Sequence, residues 1–335
     1  MKKNDKTSQS QIGQKKEVVI LIIFCLSVIL CVSCTSCSEK INIADPTIDY
    51  DLYPYGNDKN ASWSSDYSQL IYYNGSHSDE NGTVTDSTFG VYIKDLISDS
   101  TYIWDASMQI GSLGLTLSPD MQWLIFEAVY DIYRIPYEIP FNIAQMEKIG
   151  SETGPNLYPK WSRDGKYLAL DIRLGDPGIY IMNPDGTDKH MVGQWGGRYP
   201  YFSYDNNSIY CSAFPLSSDD TEIFRIDYIE NSYLQLTSFN EFEYINYVLP
   251  SKNEDILIFS AISRGDCGTY IYRYDVNSGE RTKLIDKYAE AWDWNYYNDT
   301  ILYTYSPSPN QGNVNGFLWT MKPDGSEKTQ ITFIK

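Results

Sequence analysis

The sequence predicts an all-β fold, a six-bladed β-propeller of four-stranded antiparallel blades, from three observations. An apolar anchor followed by a turn recurs at Trp63-Ser64, Leu117-Ser118, Trp161-Ser162, Phe202-Ser203, Leu249-Pro250 and Trp294-Asn295, at intervals of 54, 44, 41, 47 and 45 residues. Downstream of each anchor stands a second aromatic: Tyr92, Tyr133, Tyr180, Phe224, Tyr272 and Trp319. Composition agrees, because 30 Tyr, 8 Trp and 12 Phe favour strands. Units of four short strands and roughly 40–50 residues have the period of a propeller blade. One such sheet leaves both faces open, whereas six in a ring cover one another. The length of 335 residues alone would suggest two domains, but the repeat makes residues 57–335 one propeller. A pair of β-sandwiches would not require so regular a repeat.

The chain begins with a different kind of segment. Residues 1–17 carry Lys2, Lys3, Lys6, Lys15 and Lys16, and then 15 residues from Val18 to Val32 hold neither charge nor Pro. A basic start followed by a short apolar run is the pattern of an export signal. The run is shorter than the roughly 20 residues of a spanning helix, which argues against a plain membrane anchor. Ser33, Cys34, Thr35, Ser36 and Cys37 follow directly. This resembles a bacterial lipoprotein signal peptide, which implies cleavage after residue 33 and lipidation of Cys34. Cys31 stands where that family usually has Leu, and Cys37 is the second candidate for lipidation. The resemblance implies a protein held in the cell envelope by an N-terminal lipid, with the outer membrane as the expected location. Residues 34–56 read as a tether and an extended lead-in.

Within each repeat, strand A ends at the anchor. An Asp three residues later marks the A–B turn at Asp66, Asp120, Asp164 and Asp205, with Asn253 and Asn298 near that place in the last two units. Asp and Asn side chains cap tight turns. Strand B is a short apolar run, such as Leu70-Ile71-Tyr72-Tyr73 or Ile256-Leu257-Ile258-Phe259. Strand C carries the second aromatic. Asp-Gly turns follow at 183–188 and 322–327, read as two-residue hairpins. Leu236-Thr237 and Ile331-Thr332 are read as strand D.

Trp161-Ser162-Arg163-Asp164-Gly165-Lys166, followed by Ile179-Tyr180-Ile181-Met182-Asn183-Pro184-Asp185-Gly186-Thr187, resembles the repeat of TolB-like six-bladed propellers. Met321-Lys322-Pro323-Asp324-Gly325-Ser326 is a second copy. The resemblance covers about residues 57–335 and implies the fold. Such propellers occur in periplasmic scaffold proteins, peptidases and polysaccharide lyases, so it selects no function.

Composition narrows the chemistry. A net charge of −18 repels phosphate backbones, so a nucleic-acid partner is not expected. Two histidines, His77 and His190, leave little for His-based metal or acid–base sites. His77 falls in a polar, Gly-punctuated segment, and His190 beside a turn. No G-x-S-x-G elbow is present. The Asp-rich turns lack calcium-loop spacing, and their repetition explains them as turns. Neither metal nor cofactor is expected. Cys211 and Cys267, the two cysteines of the body, allow one bridge or two buried thiols.

Binding is the expectation that remains: a non-catalytic envelope scaffold, monomeric, that holds a protein or a glycan. A polysaccharide-acting lyase or hydrolase is the alternative. The B–C and D–A loops share one face and vary in content, as functional loops do. Segment 193–201 offers Trp195, Arg198 and Tyr199, and segment 286–294 offers Tyr288, Glu290 and Trp292. Arg173 and Arg264 occupy matching B–C positions. Aromatics beside Arg suit sugar rings or a protein hot spot. Trp195, Arg198, Tyr199, Trp292, Arg173 and Arg264 are therefore the candidate ligand-binding residues.

Overall fold

Six four-stranded antiparallel sheets follow one another along the chain. The computed structural model describes residues 58–74, 77–78, 84–86, 90–105, 110–128, 131–150, 156–173, 175–193, 196–215, 220–265, 268–286, 288–306 and 316–332. All of them belong to one compact unit, Pro46–Lys335. The signal segment, Cys34 and Cys37 lie outside the described residues. Blade 1 comprises β1 (Asp58–Trp63) and β2 (Gln69–Asn74), a small hairpin of β3 (His77–Ser78) and β4 (Val84–Asp86), then β5 (Gly90–Asp95) and β6 (Thr101–Asp105). Blade 2 is β7 (Ile110–Leu117), β8 (Trp123–Ala128), β9 (Asp131–Pro136) and β10 (Glu147–Lys148). Blade 3 is β11 (Asn156–Trp161), β12 (Leu168–Ile172), β13 (Gly178–Met182) and β14 (His190–Met191). Blade 4 is β15 (Arg198–Phe202), β16 (Ser208–Ala213), β17 (Glu222–Asp227) and β18 (Ser232–Gln235). Blade 5 is β19 (Phe242–Pro250), β20 (Ile256–Ser263), β21 (Thr269–Asp275) and β22 (Arg281–Ile285). Blade 6 is β23 (Ala289–Asn295), β24 (Thr300–Tyr305), β25 (Phe317–Met321) and β26 (Thr329–Gln330).

The core lies between blades, as strand alternation requires. In β16, Ile209 and Cys211 pack with Ala169 and Ile179 of blade 3. Tyr210, between them in sequence, packs with Val248 and Leu257 of blade 5. Cys211 is a free, buried thiol; Cys267, with which the sequence allows a bridge, is outside the described residues. The six downstream aromatics all sit on third strands.

The A–B turns explain the repeated Ser and Asp. The Ser64, Ser118, Ser162 and Ser203 hydroxyls donate to Asp66, Asp120, Asp164 and Asp205 at 2.7, 2.6, 2.8 and 2.7 Å. Each hydroxyl also accepts a backbone N–H at the start of strand B or just before it. Two corrections follow in blade 5. Pro250 pairs with Leu257 as Trp63 pairs with Leu70, so the anchor is Pro250, not Leu249. The turn acid is Asp255, 2.6 Å from Ser251 Oγ, not Asn253. The 183–188 turn is a Pro-Asp-Gly loop rather than a two-residue hairpin: Asn183 N–H bonds Thr187 O, and Gly186 takes a φ of 87°. That is a type I turn completed by a left-handed Gly. Leu236-Thr237 and Ile331-Thr332 come just after the fourth strands, and each Thr hydroxyl accepts a strand C N–H, from Ile223 and Leu318.

Among the described residues no strand is exchanged between the first and last blades, and backbone and side-chain hydrogen bonds join them. Asp58 is the main clasp. Its N–H donates to Gly316 O at 3.0 Å, and its carbonyl accepts from Thr304 Oγ1 at 2.6 Å. Its carboxyl accepts from Thr332 Oγ1 at 2.5 Å and from Asn74 Nδ2 at 2.7 Å.

Candidate functional site

The first strands, β1, β7, β11, β15, β19 and β23, pack in succession around the axis and line the channel. Each carries a β-bulge in its pairing with strand B. A bulge re-aims its extra residue. Asn60, Tyr158, Tyr199 and Tyr247 adopt left-handed φ values of 52°, 51°, 55° and 42° there, which is uncommon away from Gly. The rings meet: Tyr158 to Tyr199 at 4.5 Å, Tyr199 to Tyr247 at 4.9 Å, and Tyr247 to Trp292 at 4.8 Å between centroids. Tyr247 Oη donates to Asn60 Oδ1 at 3.1 Å. Gly114 takes the corresponding place in blade 2, where a Cβ would come within 2.3 Å of Pro159 Cδ. This aromatic layer leaves a cavity of only about 10 Å³ within it and divides the channel into two halves.

The half that opens among the A–B turns is a funnel of about 100 Å³. Residues preceding the anchors line it: Ser62, Thr116, Lys160, Tyr201 and Asp293. Asp293 is fully engaged. It accepts from Ser62 Oγ at 3.1 Å and from the backbone N–H groups of Trp63 and Trp294 at 2.9 Å each, and Tyr201 Oη bonds it as well. Lys160 has less. Its ammonium reaches Trp292 O at 3.4 Å and the Tyr201 face at 5.4 Å. Burial pushes its pKa down, partly offset by the Asp293 charge. At the mouth, the Arg163 guanidinium lies over Tyr204 at 4.7 Å and Tyr296 at 4.8 Å, and donates to Tyr67 Oη at 3.3 Å. Burial opposes its charge, but the bond to Tyr67 and the nearby Tyr201 and Tyr296 hydroxyls hold its pKa above the ordinary value. Lys252 sits 4.5 Å from the Tyr204 ring, and Tyr297, beside Tyr296, is 88% exposed.

The sequence-derived residues fall in the other half or around it. Arg173 covers Tyr158 at 5.1 Å and Tyr199 at 5.5 Å and pairs with buried Asp171 at 3.0 Å. Burial raises the Asp171 pKa, against the pull of Arg173 and Arg198. Arg198 lies over Phe214 at 5.3 Å. Arg264 stands apart from these, paired with Asp220. Trp292 is not a loop platform: it is 4% exposed, and its indole N–H donates to Thr304 Oγ1 at 2.6 Å. Trp195 lies outside the described residues. Glu290 accepts from Asn246 Nδ2 at 3.2 Å, and burial raises its carboxyl to about 7, opposed by Asn246 and by the Lys59 charge. His190 is solvated at its turn, within 2.8 Å of Asp188 O. Among the described residues, no group of three or more His, Cys, Asp or Glu is placed to hold a metal.

Sequence reasoning missed the funnel and the aromatic layer, yet both had a signal. With Pro250 as the fifth anchor, Tyr158, Tyr199 and Tyr247 each stand three residues before an anchor, as do Asn60 and Gly114. Arg163, Tyr204, Lys252 and Tyr296 occupy one place in successive turns, two residues after the anchor.

No protein-family model and no curated protein matches the sequence. Solved structures do share the fold. A TolB protein of Agrobacterium tumefaciens matches with a TM-score of 0.57 and 15% identity, over 72% of this chain and 87% of that one. TolB of Acinetobacter baumannii matches with a TM-score of 0.56 and 14% identity, over 88% and 85%. An oligogalacturonate lyase in complex with manganese matches with a TM-score of 0.55 and 14% identity, over 84% and 79%. At these identities the likeness is one of fold: the chain is a six-bladed propeller similar to those of TolB proteins and of a polysaccharide lyase.

Proposed function

We propose that the protein is a non-catalytic binding protein of the cell envelope, anchored by a lipid at Cys34, that holds a protein or glycan partner in the turn-side funnel. The observation that carries this reading is the funnel itself: a concave site with aromatic walls and a few converging polar groups at the end of the channel. Likeness to TolB propellers is consistent with a scaffold role. The loop-side group of Arg173, Arg198 and Tyr199 is the second candidate mouth. Photo-crosslinkers at Tyr297, beside the funnel, and at Arg264, on the loop side, separate the two. Adducts from the Tyr297 position alone are expected; adducts from Arg264 alone would reject the funnel. Intact mass decides the anchor, since Cys34→Ala should abolish both the lipid mass and membrane partition.

Glu290 favours a second reading, a polysaccharide-acting enzyme. A carboxyl near pH 7 suits a general acid or base. Turnover of any glycan that Glu290→Gln abolishes would establish that reading and overturn the first.

A further inference from the structure

We propose that the funnel receives a carboxylate between Arg163 and Lys160. The inference rests on the reading above that the turn-side mouth is the binding site. It starts from an imbalance of charge. In a protein with 44 acidic and 26 basic side chains, a cation without a counter-ion stands out. Arg134, Arg173, Arg225, Arg264, Arg273 and Arg281 each lie beside a carboxylate. Among the described residues Arg163 and Lys160 have no such ion pair; Arg198 on the loop side has none either, but Arg163 and Lys160 line one small cavity together. The acid that lines it with them, Asp293, is already bonded by two backbone N–H groups, a serine and a tyrosine.

Donor geometry points the same way. An ammonium carries three donors, and among the described residues Lys160 makes one hydrogen bond, to a carbonyl at 3.4 Å. A guanidinium carries five donors in a plane. Tyr204 and Tyr296 take ring contacts from Arg163, and Tyr67 takes one N–H, so most of its donating edge is uncommitted within the site. A planar carboxylate matches that edge with two parallel bonds, and Lys160 adds a point charge from below. The Tyr204 and Tyr296 rings, packed edge to face with each other at 5.1 Å, hold the guanidinium in place before a ligand arrives, which reduces the entropy lost on binding.

The test uses matched small probes on the full-length protein: N-acetylglutamate α-amide against N-acetylglutamine α-amide, and galacturonate against galactose, followed by Trp fluorescence titration. At least one acid should bind at least tenfold more tightly than its neutral partner, and which pair responds tells a peptide carboxylate from a sugar acid. Arg163→Gln and Lys160→Met should each remove that preference, whereas Arg163→Lys should restore part of it in a protein of unchanged thermal stability. Equal binding of acid and neutral probes, no binding of either acid at millimolar concentration, or a preference that survives in the Arg163→Gln/Lys160→Met double variant would each overturn the inference. The Tyr297 crosslink keeps the two levels distinct. If it persists while the acid preference is absent, the carboxylate assignment falls and the binding face stands; if it is lost in the wild-type protein, the face itself is wrong.

Discussion

Replacing Asp58 by Asn should flatten the pH dependence of stability. The carboxyl is 2% exposed at the seam between the first and last blades, and burial raises it from 3.8 to about 7, against hydrogen bonds from Thr332 and Asn74. A folded-state pKa above the unfolded one means that the native protein binds the proton more tightly. The associated stability is complete below about pH 4 and is lost as pH rises through about 7. Between pH 5 and pH 8 the loss is on the order of 3 kcal/mol for Asp58. Glu290, raised from 4.5 to about 7, adds a similar slope in the same window. The turn carboxylates Asp66, Asp164 and Asp205 act in the opposite sense, since their lowered pKa values give stability that is lost only as pH falls below about 4, outside this window. Urea titrations at pH 5 and pH 8 measure the difference. Asp58→Asn keeps an oxygen for Asn74 and offers an N–H to Thr332, so it should nearly match the wild type at pH 5. It should exceed the wild type by about 2–3 kcal/mol at pH 8. A variant that loses as much stability as the wild type between the two pH values would refute the reasoning.

Four other substitutions or modifications test the packing. Gly114→Ala drives a methyl toward Pro159 and should cost about 1–3 kcal/mol in urea unfolding, through displacement of the Tyr158 bulge. Trp294→Ala, at a residue 2% exposed, should cost about 3–5 kcal/mol, and Trp161→Ala clearly less, because Trp161 is only half-buried. Cys211 should resist alkylation at pH 8 until the protein unfolds, because burial pushes its thiol up to about 12; fast labelling of this thiol in the native state would contradict its placement.

The fold was legible because a propeller writes its geometry into the sequence six times. Trp63, Leu117, Trp161 and Phe202 end first strands as expected, Trp294 stands one residue before the end of its own, and Tyr92 through Trp319 fall on third strands. The fifth unit misled because Pro250 ends its strand in place of a hydrophobic or aromatic side chain, which made the neighbouring Leu249 the apparent anchor. The site was less legible for a physical reason. Period-two alternation assigns a side chain to one face or the other, but a bulge shifts that assignment by one residue. Tyr199 and Trp292, read as loop residues, belong to the bulged layer inside the channel. In the sequence Arg163 reads only as part of a turn repeat, because nothing in a single turn shows that its side chain reaches tyrosines of blades 1, 4 and 6.

The charge balance gives the two mouths different capacities. On the loop side, Arg173 and Arg264 are already committed to Asp171 and Asp220, and Arg198, which lies over Phe214 with no ion pair of its own among the described residues, has the Asp171 charge nearby, so an incoming acid there meets a carboxylate already in place. On the turn side the opposite economy holds. Neutral donors satisfy Asp293, which leaves Lys160 and Arg163 for a group from outside. The rest of the molecule, at a net charge of −18, repels anions beyond contact range, though salt at physiological strength screens that field within about 8 Å. A polyanion therefore meets repulsion along its length and gains attraction at one point only. A ligand with one carboxylate on a neutral or basic body incurs little of that repulsion and gains all of the attraction. The combination of an acidic surface and a recessed pair of cations thus selects for the distribution of a partner's charge, not for its amount.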